Sequence, residues 1–257
     1  CKWFGIGATA DILPTTTAVQ IGANGTLDLN GVTQTIGSLS GAAGSSVLLG
    51  GGTLTTGDST STTFAGAISG TGLVVKIGSG TWLVDGTISA PVQVQAGTLG
   101  GTGTLAGGVD VFANARLSPG DSIGAMVTGP LTLEAGAFFD VKVVPSDCDR
   151  VDVTGEVVLA DAILALSISG DFASYGGTEY TLINNDGSGD LVTGHFAGLL
   201  EGSVINSLQG QFVLSYEGGD GNDVTLTAVP EPASALMVML AVPAVAARVR
   251  RRLRRSR

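Results

Sequence analysis

Residues 63–105 read TFAGAISGTGLVVKIGSGTWLVDGTISAPVQVQAGTLGGTGTL. No other property constrains the fold as tightly as this succession of short apolar runs and glycine-rich corners. Residues 73–77, 81–84 and 92–95 are mostly β-branched or apolar, and Gly, Ser, Thr or Asp lies at or next to the end of each run. Runs this short, interrupted this often, predict short strands between tight turns, and they carry no helical period. Glycine supplies 41 of the 257 residues, about 16% against the usual ~7%. Sharp corners are therefore available along most of the chain.

The same grammar runs through the first half. Residues 18–21 predict one strand. In 25–31, Leu27 and Leu29 alternate with polar neighbours, which puts both on one strand face. Asn30-Gly31 then supplies the positive φ that a corner needs. Residues 33–39 predict the next strand, followed by 46–49 and 53–56. Thr-Leu after Gly recurs at Gly25, Gly52, Gly97 and Gly103, with Trp82 replacing Leu after Gly80. The first intervals are 27 and 28 residues and the later ones 17 and 6, a degenerate repeat within the ~20–50 residue range of stacked architectures. One such unit cannot bury an apolar face alone. Stacked units align like strands in parallel ladders around an inner column of Leu, Val and Ile. An aromatic share of 5% beside an apolar share of 44% suits thin stacked layers better than a thick sandwich. The expected fold is all-β, a parallel β-solenoid, with an antiparallel β-sandwich as the alternative.

From about residue 107 the strands continue without the short repeat. They are expected at 131–133, 138–144, 151–153, 157–159, 163–168, 180–183, 211–216 and 224–227, with dense turn residues at 118–122 and 184–187. Little helix is expected before Val229. The chain divides into 1–106, 107–228 and 229–257.

Charge is placed unevenly. The chain has 12 basic and 22 acidic residues, and seven of the basic ones are Arg248, Arg250, Arg251, Arg252, Arg254, Arg255 and Arg257. Before Pro230 there remain five basic against 21 acidic residues, a balance that repels phosphate and speaks against nucleic acid as a partner. Cys1 and Cys148 are the two cysteines, too far apart in sequence to argue for a disulfide. Opening on Cys1 reads as a fragment or processed form rather than a lipidated terminus, so a missing leader carries no weight.

Val229 starts a different pattern. Val229-Pro230-Glu231-Pro232 extends neither a helix nor a central strand and reads as a rigid spacer. Residues 233–247 are 15 residues with one polar side chain, Ser234, and one proline, Pro243. That length is marginal for a ~30 Å hydrocarbon core. The positive-inside bias would keep the arginines in the cytoplasm and the body outside. A tail anchor that is never cleaved is the plainer alternative.

Several stretches resemble a known family. Gly66-Ala67-Ile68-Ser69-Gly70-Thr71-Gly72, Lys76-Ile77-Gly78-Ser79-Gly80-Thr81 and Ala96-Gly97-Thr98-Leu99 resemble the autotransporter-associated β-strand repeat, also called the passenger-associated transport repeat. Leu117-Ser118-Pro119-Gly120-Asp121-Ser122, Asp149-Arg150-Val151-Asp152-Val153-Thr154-Gly155, Thr193-Gly194-His195-Phe196-Ala197-Gly198-Leu199 and residues 216–224 are similar to the closing part of such passengers. The resemblance implies a right-handed parallel β-helix displayed or secreted at a bacterial surface, and brings no catalytic residue. Autotransporters end in a membrane β-barrel, whereas this chain ends in something similar to a PEP-CTERM sorting signal: Val229-Pro230-Glu231-Pro232, an apolar helix, then arginines. That similarity implies an exosortase, a membrane protease-transpeptidase, as partner. It also implies transient membrane insertion through 233–247, delivery to the envelope or exterior of a Gram-negative-type bacterium, and association with exopolysaccharide.

The remaining candidates are judged against plainer readings. Gly218-Gly219-Asp220-Gly221-Asn222-Asp223 opens like the nonapeptide of calcium-binding β-rolls, which makes Asp220, Asn222 and Asp223 calcium candidates. Those rolls need tandem copies, and Thr225 stands where a large apolar residue belongs, so a turn before the last strand is favoured. His195 is the single histidine, with no partner set for a transition metal and no Gly-x-Ser-x-Gly elbow elsewhere; it reads as a turn residue. Asp147, Asp149 and Asp152 surround Cys148 and would be the acid and base of a carbohydrate-active β-helix enzyme. Against this, the body offers only Lys2, Lys76, Arg116, Lys142 and Arg150 to hold an acidic sugar. Gly101-x-Gly103 lacks the strand–helix setting of a dinucleotide site, and Trp82 reads as core. The favoured reading is a non-enzymatic surface or matrix protein without cofactor. A carbohydrate-active enzyme and a calcium-stabilised adhesin are the alternatives.

Overall fold

A computed structural model describes residues 3–5, 10–185 and 189–230 of the chain. Strands are short because corners come early. Around Trp82, the strands Thr81–Val84, Thr87–Ile88 and Val92–Val94 belong to three different sheets. Alternation sorts their side chains: Trp82, Val84, Ile88, Val92 and Val94 are buried, while Thr81, Leu83 and Gln93 are part-exposed. Each strand pairs in parallel with the coil before and the coil after. Trp82 lies between Thr62 and Leu99, Ile88 between Ile68 and Leu105, and Val94 between Lys76 and Val111. The third sheet holds eight strands, one per coil, and the coils open at Ala18, Ser38, Thr62, Thr81, Thr98, Arg116, Phe138 and Ile163. The all-β fold with parallel sheets is as expected. Its connectivity, three strands per turn of the chain stacked on like strands, is that of a solenoid.

The core is a set of columns. Leu27, Val47, Ile68, Ile88 and Leu105 stack in the second sheet. Leu54, Val74, Val92, Val109, Leu131 and Val157 stack in the third. Each fully buried aliphatic side chain contributes about 1.5–3 kcal/mol of transfer free energy. The first sheet carries the large rings. Phe64 and Trp82 are buried with ring centroids 6.3 Å apart, so Trp82 is core. Phe64 stacks over Gly41, where a β carbon would come within 2.6 Å of the ring. One coil's missing side chain makes room for the next coil's ring.

Two details differ from the expectations. Residues 33–39 form two strands, Gln34–Ile36 and Ser38–Gly41, because Gly37 turns a corner between them. The Gly-Thr-Leu interval is not the coil. Thr26 and Thr104 lie in the second sheet, Thr53 in the third, Thr81 and Thr98 in the first, so the motif marks entry into a strand on any sheet. Side-chain hydrogen bonds between adjacent coils in this part span 17 to 24 residues. As expected for 107–228, the ladders run on past residue 107: Thr104–Leu105 pairs with Ala125–Thr128, and Arg116–Pro119 with Phe138–Val144.

The C-terminal end is built differently. Glu179–Asn185 pairs antiparallel with Asp223–Ala228, which pairs antiparallel with Gly210–Gly218, which pairs antiparallel with Val204–Ser207. Phe172, Tyr180 and Phe212 pack edge-to-face beneath this layer, Phe172 and Phe212 at 5.2 Å. Asn30 and Gly31 take the expected positive φ, 50° and 79°. Among the described residues none is helical, and no helix is long and apolar enough to cross a membrane. The apolar helix expected at 233–247 lies outside the described residues.

Candidate functional site

Asp147, Asp149 and Asp152 do not converge on a common point of chemistry; each is committed to a separate contact. The hairpin that follows Phe138–Val144 carries Asp147–Cys148 back against it. Asp149 is fully buried. Its Oδ2 accepts the Lys142 amide at 2.9 Å and its Oδ1 the Gly124 amide at 3.1 Å. Burial pushes its carboxyl above the usual carboxylate range, and the Lys142 and Gly124 amides and the Lys142 charge pull the other way. Lys142 Nζ donates to the Ser122 carbonyl at 3.0 Å. The 120–124 loop is thus pinned to the following coil. Asp147 Oδ1 accepts the Cys148 amide at 2.8 Å. Asp152 pairs with Arg150 at 2.7 Å and accepts from Asn184 at 2.9 Å. Cys148 is buried, its thiol donating to the Thr181 carbonyl at 3.2 Å. Burial, helped by the charges of Asp147 and Asp149, pushes that thiol up to about 12.

The 218–223 segment is a turn between antiparallel strands, with Gly219 at φ 56° and Gly221 at φ 116°. Asp223 Oδ1 accepts the Asn185 amide at 2.8 Å, and Asn222 Nδ2 donates to the Asp190 carbonyl at 2.6 Å. Burial raises the Asp223 carboxyl against the pull of the Asn185 amide. Asp220 is exposed, and Thr225 is buried. The described residues contain no group of three His, Cys, Asp or Glu side chains placed to hold a metal ion.

His195 ends the strand Val192–His195 rather than sitting in a turn, because pairing with Ala160 carries the third sheet that far. Its exposed ring stands edge-on to Tyr216 at 5.2 Å. The Tyr216 hydroxyl accepts the Phe196 amide at 2.9 Å and donates to the Leu199 carbonyl at 2.7 Å, which fixes the 196–199 turn. Gly101 and Gly103 both pack against the Val84 carbonyl.

The basic side chains are equally committed. Lys76 is 2% exposed and its Nζ donates to the carbonyls of Ile77, Gly78 and Ala96 at 2.6, 3.0 and 3.1 Å. Its place in the strand could have been read from parity with the inward Val74. Arg116 meets both oxygens of Asp140 at 2.7 and 2.9 Å and lies 4.1 Å over the Phe138 ring. With Arg150 on Asp152 and Lys142 on Ser122, each basic residue among the described ones is engaged. Lys2 lies outside them.

At the exit from the body, Gly177 donates to the Ala228 carbonyl at 2.7 Å and Ala228 to the Thr178 carbonyl at 2.9 Å. Val229 donates to the Gln211 carbonyl at 2.8 Å. Pro230 rests on Gly176, where a β carbon would stand 2.7 Å from Pro230 Cα. A cleft of about 370 Å³ opens beside it, lined by Asn206, Leu208, Gln211, Val229 and Pro230 among others. Sequence reasoning missed Gly176 and Gln211; the Gly176-Gly177 pair was the available signal. Glu231, Pro232 and the arginines from Arg248 to Arg257 lie outside the described residues. A scan against protein-family models finds no match to this chain, and a search of curated proteins finds none either.

Proposed function

We propose that the chain is a non-enzymatic, exported surface or extracellular-matrix protein of a Gram-negative-type bacterium, with a right-handed parallel β-helix as its body. The body works as a stable, acidic, adhesin-like surface beside exopolysaccharide or other envelope components. The tail is the substrate of an exosortase-type membrane protease-transpeptidase. Residues 233–247 enter the membrane transiently, Arg248 to Arg257 hold the cytoplasmic side, and cleavage falls near Val229-Pro230-Glu231-Pro232.

The observation that carries this reading is how the charged groups are employed. The acid and base candidates Asp147, Asp149 and Asp152, and with them Asp223, accept from backbone amides and from Arg150 and Asn184. Lys76, Arg116, Lys142 and Arg150 are engaged as well. A general acid and base need a free face toward substrate; these residues are held in contacts within and between coils instead. Mass determination of the exported protein, purified from its host with the tail intact and with the tail deleted, tests the proposal. A mature form lacking Arg248 to Arg257 is expected, and one that retains them overturns the sorting.

A further inference from the structure

The chain's exit is latched to the body. Ala228 is bonded through both its N–H and its carbonyl to the 177–178 turn, and the Val229 N–H is bonded to Gln211. Pro230 has no N–H, so it is held by packing alone, against the bare face of Gly176. Pro230 is the last of the described residues. A protease takes the chain beside its scissile bond as an extended strand and uses main-chain hydrogen bonds to hold it. Here those groups already have partners. Reach is limited too, since each residue spans at most ~3.6 Å, and only Glu231 and Pro232 separate Pro230 from the apolar segment.

We propose that removal of the tail is gated by this latch: Val229 and Pro230 must first leave Gln211 and Gly176. The inference rests on the sorting reading above. Unlatching changes no covalent bond. The cleavage that follows breaks one peptide bond, its acyl side passing to water or an acceptor amine and its amine side leaving protonated. Where opening is fast relative to cleavage, the rate follows the population of the open form. Gly176 sets that population. It is exposed and its backbone is not left-handed, so other residues fit there except for their collision with Pro230.

The test uses the full chain with Gly176→Ala and Gly176→Val. Hydrogen exchange at Val229 is measured beside pulse-chase processing in the host. Wild-type Val229 should be protected. Exchange in Gly176→Val should be about tenfold faster, with a smaller change in Gly176→Ala, while Trp82 and Val94 keep their protection. The processed form should accumulate faster in the same order. Unprotected Val229 in the wild type overturns the latch, and loss of protection with unchanged processing overturns the gate. A tail retained in every variant overturns the sorting reading and the gate with it, while the exchange data still decide the latch.

Discussion

Gly41 and Lys76 show what single residues contribute inside a stack. Gly41 has Phe64 directly over it, and a β carbon would also stand 2.6 Å from Ser45 Oγ. Gly41→Ala overpacks a fully buried ring and should cost about 1–3 kcal/mol, read as a lower urea midpoint. Lys76→Met leaves three carbonyls without their donor and should cost about 1–3 kcal/mol. The pH dependence has a definite sign. Burial lowers the Lys76 ammonium from 10.5 to about 8, with Asp58 pulling upward. The unfolded chain keeps that proton to about 10.5, so between about pH 8 and 10.5 unfolding takes up a proton and stability rises with pH. The gap in urea midpoint between wild type and Lys76→Met should therefore widen from about pH 7.5 to about pH 9.5, and a narrowing gap would contradict the burial of the charge.

At the scale of elements, Asp149 joins a loop to a strand that the sequence does not place together. Gly124 is 25 residues away from it. The Asp149 carboxyl sits above its ordinary 3.8 because of burial. Its stabilising contribution is complete below that ordinary value and declines as pH rises through the elevated one. Wild type should hold a larger advantage over Asp149→Asn in acid than at neutral pH, as measured by paired denaturation curves; an advantage that grows toward neutral pH would refute the sign. Strand positions were legible because alternation and glycine corners are local: 131–133, 138–144 and 163–168 coincide with strands. The coil was not legible. Gly-Thr-Leu opens strands on three sheets, so its spacing mixes a full turn of the chain with a step between sheets. The candidate carboxylates were visible as a cluster, but their partners, Lys142, Gly124 and Asn184, depend on register between coils.

For the whole molecule, 21 acidic against five basic residues before Pro230 make self-repulsion the dominant long-range electrostatic effect. Monovalent salt, which shortens the screening length, should raise the melting temperature. A chelator should leave it unchanged if 218–223 is only a turn, and a drop of several degrees would restore calcium to Asp220, Asn222 and Asp223. The antiparallel layer formed by Val204–Ser207, Gly210–Gly218 and Asp223–Ala228 has a consequence for evolution. It lies on the last coil alone and carries the exit with it. Coils beneath it meet one another through parallel ladders on three sheets, each coil adding ~4.8 Å of height. Whole coils can enter or leave the column while the foot of the mast, and the point where the tail departs, stay as they are: stature and anchorage are inherited separately.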